Sequence, residues 1–307
     1  VHEGSRKAIA AAFLANLGIA IAKFAGFAFT GAASLLAEAL HSVADTGNQA
    51  LLFLGGRRAR RRPTPEHPFG YGRERYFWAF VVALMLFSLG ALFAIVEGVD
   101  KLINPHELES IAVALAVLGV AIVLEALSFR TAMVQAAAVK GDESWWRFIR
   151  RSKSPELPVV LLEDTGALLG LVLALAGVSV AEVTGNARWD ALGSVGIGIL
   201  LGVIAIVLAV EMKSLLIGES AAAQTEKVIR AAIMDGREVR RIIHLRTLHL
   251  GPDELLVAAK VELDSASVPD LTRAIDTVEA RVRDAVPIAR VIYLEPDLYR
   301  SDAAVER

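Results

Sequence analysis

Long apolar blocks separated by short polar stretches fill the first two thirds of the chain, and short mixed periods fill the last third. Six blocks approach or exceed the ~20 residues that carry a helix across a bilayer. They lie at roughly 8–30, 33–56, 77–102, 108–138, 157–182 and 189–217. After Lys213 the texture changes. Residues 222–235 read as a helix, and 239–250 and 254–263 as strands around the turn at Gly251, Pro252 and Asp253. Residues 268–284 read as a second helix and 289–295 as a last strand. An α-β-β-α-β order of this size makes a small two-layer α+β domain. The pattern predicts an α-helical membrane protein with six transmembrane helices over 1–214 and a small cytoplasmic α+β domain over 215–307.

Composition agrees with that division. The chain is 55% hydrophobic with a mean hydropathy of +0.51, more apolar than soluble domains of this size. A net charge of −2 gives no ground for a nucleic-acid partner. The absence of cysteine excludes disulfides, thiolate metal sites and cysteine nucleophiles. No cleavable signal peptide is expected, because the first apolar block is too long and another follows at once.

Lys and Arg gather in two loops. One holds Arg57, Arg58, Arg60, Arg61, Arg62, Arg73 and Arg75; the other holds Lys140, Arg147, Arg150, Arg151 and Lys153. The opposite side has little beyond Lys101 and Arg188. The positive-inside rule places both basic loops and both termini in the cytoplasm of a plasma (inner) membrane. Trp145 and Trp146, beside Arg147 and Phe148, suggest an amphipathic stretch at the bilayer interface or an ordinary aromatic anchor.

Chemistry enters through ionisable residues inside the apolar blocks. An Asp at mid-membrane costs ~2.5–3.5 kcal/mol on insertion scales, so such residues mark function by default. The second span holds Glu38, His41 and Asp45. Spacings of three and four put all of them on one helical face, where an imidazole and a carboxylate can reach one cation. The fifth span adds Glu163 and Asp164, adjacent residues that diverge by about 100° around a helix and so need not face the same site. Nitrogen with carboxylate oxygen suits zinc, or manganese, iron(II) and cobalt. Lys23 in the first span either neutralises one of these carboxylates or snorkels to the interface.

The segment ASLLAEALHSVADTGNQ, with His41 and Asp45 four apart, resembles the second-span signature of the cation diffusion facilitator family. HPFGYGRER at 67–75 is similar to that family's loop before the third span. LLED in the fifth span and LLIGES at 215–220 resemble a divergent branch related to mitochondrial zinc exporters. The resemblance implies metal–proton antiport by alternating access, out of the cytoplasm, in a homodimer, with zinc or another divalent cation as the transported substrate. It also implies ligands at His41, Asp45 and Asp164. The family's remaining fifth-span position falls on Val160, which cannot ligate, so Glu163, Glu38 or a water completes the set, with Glu163 favoured. Secondary metal positions fall on His67, with Tyr71 where a second histidine would stand, and on His249 and Asp297. Read without the resemblance, His249 and His244 are strand-surface histidines, since zinc wants four good ligands.

Small residues in the sixth span (Gly193, Gly196, Gly198, Gly202) are expected to let helices pack closely. An enzyme is not expected. Paired carboxylates and a histidine could activate water on zinc in a membrane-embedded hydrolase, but neither HExxH nor a nucleophile elbow occurs.

Overall fold

The computed structural model describes the backbone of residues 3–105, 110–264 and 267–300, and side chains from Leu17 onward within those ranges. It divides into two compact units, Val1–Gly56 with Phe77–Lys213, and Arg57–Tyr76 with Ser214–Arg307.

The first unit is helical. α1 (Glu3–Thr30) and α2 (Ala33–Ala59) meet at a corner centred on Gly31. Gly31 adopts φ 64°, a left-handed conformation that costs glycine little. α3 (Glu74–Met85) continues through a wide π-helical segment, Leu86–Leu92, into α4 (Phe93–Ile103). α5 (Ile111–Lys140), the short α6 (Trp145–Arg151), α7 (Glu156–Thr184) and α8 (Arg188–Ile217) follow. Among the described residues, four helices are long and apolar enough to cross a membrane: Glu74–Ile103, Ile111–Lys140, Glu156–Thr184 and Arg188–Ile217. A backbone in lipid must satisfy its own hydrogen bonds, which is why such apolar runs become unbroken helices.

Small residues set the closest helix approaches. A Cβ on Gly193 would lie 3.2 Å from the Leu173 carbonyl oxygen of α7, and one on Gly198 would lie 2.8 Å from the Ala91 carbonyl oxygen in the π-helical segment. Gly196 and Gly202 face only side chains at ordinary contact distance, 3.6 Å for each. The tryptophan stretch forms α6. Ser144 caps it by accepting from the Arg147 backbone N–H, and Phe148 is buried against Ala136 and Leu161. Trp146 stays 57% exposed, and Arg150 pairs with Glu211 of α8 at 3.1 Å.

The second unit is α+β. α9 (Ala223–Met234) precedes β1 (Val239–Gly251) and β2 (Glu254–Leu263); α10 (Val268–Ala285) leads to β3 (Val291–Pro296). Sheet order is β1-β2-β3. β1 pairs antiparallel with β2, with Thr247 opposite Val257. β2 pairs parallel with β3, with Val257 opposite Ile292. Alternate β2 residues Leu255, Val257, Ala259 and Val261 point to one face and are buried with Ile229 and Ile233 of α9 and Val278 and Val282 of α10. This period of two is what a half-buried strand requires.

Residues 57–76 group with this second unit rather than with the helices of the first unit that flank them. The reason is local. A Cβ on Gly72 would lie 2.7 Å from the Leu250 carbonyl oxygen, so only glycine lets the loop backbone lie against the end of β1. Arg75 adds an ion pair to Asp253 in the β1–β2 turn at 2.8 Å.

Candidate metal site

Four helices of the first unit carry the side chains that line or adjoin one small polar cavity. α2 supplies Glu38, His41, Ser42, Asp45, Asn48 and Gln49, a stripe stepping by three and four. α7 supplies Val160, Glu163 and Asp164; α5 supplies Glu125 and Ser128; α1 supplies Ile19 and Lys23. A small cavity is lined by Ile19, Ser42, Asp45, Gln49, Glu125, Ser128, Val160, Glu163 and Asp164. It offers about 10 Å³ to the centre of a water-sized particle, room for about one ion or one water.

The structure thus brings Asp45, Glu163 and Asp164 to one cavity. The adjacent pair on α7 both line it, despite the angle between them. Asp164 accepts from the Ser128 hydroxyl at 3.3 Å. Glu163 accepts from the Asn48 amide at 2.7 Å. His41 is fully buried beside the cavity, with Nε2 3.5 Å from Asp45 Oδ2. Among the described residues neither His41 ring nitrogen has a hydrogen-bond partner, nor has Asp45 Oδ1. Also among the described residues, no three His, Asp or Glu side chains converge to ligating separation. Binding an ion here therefore requires the side chains to turn toward it.

Glu38 lies elsewhere. Lys23 does not snorkel: its ammonium is fully buried, 3.1 Å from Glu38 Oε2 and 2.8 Å from the Ser42 hydroxyl oxygen. Glu38 is therefore held by a cation already and is not in the cavity lining. Glu125 is the residue that spacing within one helix did not reveal. It stands alone in the described part of its span, without an acidic or histidine neighbour three or four residues away. The rule that ionisable residues in apolar spans are functional would have found it.

The secondary positions are separate from this cavity. His67 sits in an exposed turn, its backbone N–H donating to the Thr64 carbonyl at 3.0 Å, and its ring lies 4.6 Å from that of Tyr71. His249 is only 3% exposed, which corrects its reading as a strand-surface residue. It falls where β1 ends against neighbouring backbone: its N–H donates to the Glu219 carbonyl at 2.9 Å, and its Nδ1 is 3.3 Å from the Gly251 carbonyl oxygen. Asp297 accepts from Lys260 at 3.0 Å and from the Leu298 backbone N–H at 2.8 Å. The bond to Lys260 is the main cause holding its carboxyl below the usual carboxylate range.

Comparison with known proteins agrees with the architecture of the first unit. The profile of the cation efflux transmembrane domain matches residues 9–217. The mitochondrial proton-coupled zinc antiporter SLC30A9 of Mus musculus is 32% identical over 249 residues, 80% of this chain and 44% of its own length. Metal tolerance protein C4 of Arabidopsis thaliana is 30% identical over 266 residues, 86% of this chain and 58% of its own. The magnetosome protein MamB of Magnetospirillum gryphiswaldense is 25% identical over 285 residues, 92% of this chain and 90% of its own. The chain spans about half the length of the first two. With its apolar helices and a family domain covering most of its length, it is a membrane protein and belongs to the cation efflux, or cation diffusion facilitator, family.

Proposed function

We propose that the protein carries a divalent metal cation, zinc, out of the cytoplasm in exchange for protons. The observation that carries this reading is the cavity lined by Asp45 of α2 and Glu163 and Asp164 of α7, with fully buried His41 beside Asp45. A carboxylate or imidazole that binds a cation must first lose its proton, so metal and proton compete for the same groups. A site that faces each side in turn converts that competition into exchange. In this reading α1, α2, the helix from α3 through α4, α5, α7 and α8 are six spans of a plasma membrane, with both termini cytoplasmic. The second unit is the cytoplasmic domain, and two copies form a homodimer. Support for zinc and for proton coupling comes from the 32% identity to a proton-coupled zinc antiporter.

One observation favours a second cargo. The cavity lining is oxygen-rich, with carboxylate, hydroxyl and amide groups and, among the described residues, no histidine. Such a set suits harder ions such as manganese, and turning His41 inward is what would favour zinc.

The test is uptake into proteoliposomes with zinc, manganese, iron(II) and cobalt under an imposed pH gradient. Zinc flux driven by the gradient is expected, and its loss in Asp45→Ala and Asp164→Ala with membrane insertion retained. Near-normal flux in either variant overturns the site. Flux without proton movement overturns the exchange. Ultracentrifugation of the full chain with chelator and with zinc tests the homodimer, which is expected in both conditions.

A further inference from the structure

Glu125 belongs to a third helix and is held differently from the other carboxylates. It lines the cavity with Asp45, Glu163 and Asp164, its side chain is 12% exposed, and its Oε1 lies 3.9 Å from the Lys23 ammonium. That distance is too long for a hydrogen bond. Lys23 spends its directional contacts on Glu38 and Ser42. Its hold on Glu125 is that of a compact point charge, which leaves the carboxylate free to turn. Val160, where the family resemblance puts a further ligand, also lines the cavity and has no donor atom. A second, independent observation points to a ligand: His41 is fully buried with both ring nitrogens unbonded among the described residues, its Nε2 3.5 Å from the cavity-lining Asp45.

Resting on the reading that this cavity carries a divalent cation, we infer that Glu125 is a cargo-binding carboxylate and that Lys23 is its tethered counter-ion, from which Glu125 turns to the cargo. Charge balance argues for both parts. Four carboxylates around room for one ion carry more negative charge than a divalent cation neutralises, and buried charge is costly unless compensated. The ammonium supplies a fixed positive charge without occupying the cavity. It also opposes the arriving cation, so the ion is held less tightly and can leave. Glu38 serves as the anchor that keeps Lys23 in place when Glu125 turns away.

The experiment is calorimetric titration of the full-length protein in detergent with Zn²⁺ and with Mn²⁺ at fixed pH. Glu125→Gln should weaken binding of both at least ~10-fold, the low end for disturbing a metal site's supporting groups. Replacing the pair together, Lys23→Met with Glu38→Gln, removes the counter-ion of Glu125 without leaving Glu38 as a charge that has lost its close partner. It should strengthen binding by about 10-fold, the effect of lifting a nearby like charge. If Glu125→Gln elutes as aggregate in size exclusion, Glu125→Asp keeps the charge on a shorter arm and should weaken binding at least about threefold. Asp164→Ala separates the two readings. Wild-type affinity in the Glu125 variant with binding lost in Asp164→Ala overturns this inference alone. Wild-type affinity in Asp164→Ala overturns the cargo site on which it rests. Unchanged affinity in the Lys23/Glu38 double variant overturns the counter-ion role.

Discussion

The start of α2, the helix that carries His41 and Asp45, is held by a residue from another helix. Asp190 in the first turn of α8 accepts from the Ala33 N–H at 2.7 Å, from the Ser34 N–H at 3.3 Å and from the Ser34 hydroxyl. α2 has no acidic residue in its own first turn. All three residues are buried, so Asp190→Ala leaves three donors without an acceptor. A hydrogen bond to a charged group nets about 1.5–3 kcal/mol, and an orphaned buried donor costs about 1–3 kcal/mol. A carboxylate at a helix N-terminus adds about 0.3–1 kcal/mol. Water entering the space left by the side chain recovers part of the loss, so the start of α2 should weaken by about 3–6 kcal/mol. At about 1.4 kcal/mol per decade this is roughly 10²–10⁴-fold faster amide exchange at residues 33–36. Asp190→Asn keeps one carbonyl acceptor and should fall between. Hydrogen exchange by mass spectrometry on the full chain in detergent reads this directly. Exchange at 33–36 within threefold of wild type in Asp190→Ala would refute the reasoning.

Three other substitutions test particular contacts. Gly198→Ala places a Cβ 2.8 Å from the Ala91 carbonyl oxygen and 2.9 Å from the Ile95 nitrogen; backbone cannot yield there, and overpacking of about 1–3 kcal/mol should lower the apparent Tm by several degrees, whereas an unchanged Tm would mean that the helices part freely. Asn48→Ala removes the amide that orients Glu163 at 2.7 Å; metal affinity by calorimetry should fall about tenfold with insertion intact, and equal affinity would show that Glu163 needs no such support. Asp297→Asn should leave metal affinity unchanged, because Lys260 and the Leu298 N–H already satisfy that carboxylate; weaker zinc binding would place it in a site after all.

The presence of the long helices and of the strands was legible from apolar runs and turn residues, and some limits fell within a few residues. The helix from α3 through α4, expected over 77–102, spans Glu74–Ile103, and the strand expected over 254–263 is Glu254–Leu263. The π-helical segment at Leu86–Leu92 was not legible, since a wider turn answers to packing rather than to composition. Nor was the grouping of 57–76 with the second unit, which depends on Gly72 meeting Leu250 and Gly251 far along the chain. In the candidate site, spacing within α2 placed Glu38, His41 and Asp45 on one stripe. It could not tell which of them faces the cavity, because that depends on Lys23, a residue of another helix, having bound Glu38 first.

Buried charge in this unit sorts by the quality of its partners. Asp190 and Glu38 each have a contact within ordinary hydrogen-bond length, 2.7 Å to the Ala33 N–H and 3.1 Å to Lys23. Neither lines the cavity, and both do structural work. Asp164, Asp45 and Glu125 do line it, with polar contacts to Ser128, His41 and Lys23 at 3.3, 3.5 and 3.9 Å. Such groups are poorly compensated where they sit, and a buried charge without close partners costs several kcal/mol. That deficit is what a cation would relieve, and it cannot be relieved from within the unit without losing the affinity. Glu163 stands between the two classes, with one oxygen fixed by Asn48 and its side chain at the cavity wall. In the proposed site a ligand so placed would be oriented before the ion arrives, while those with loose partners would be free to close around it.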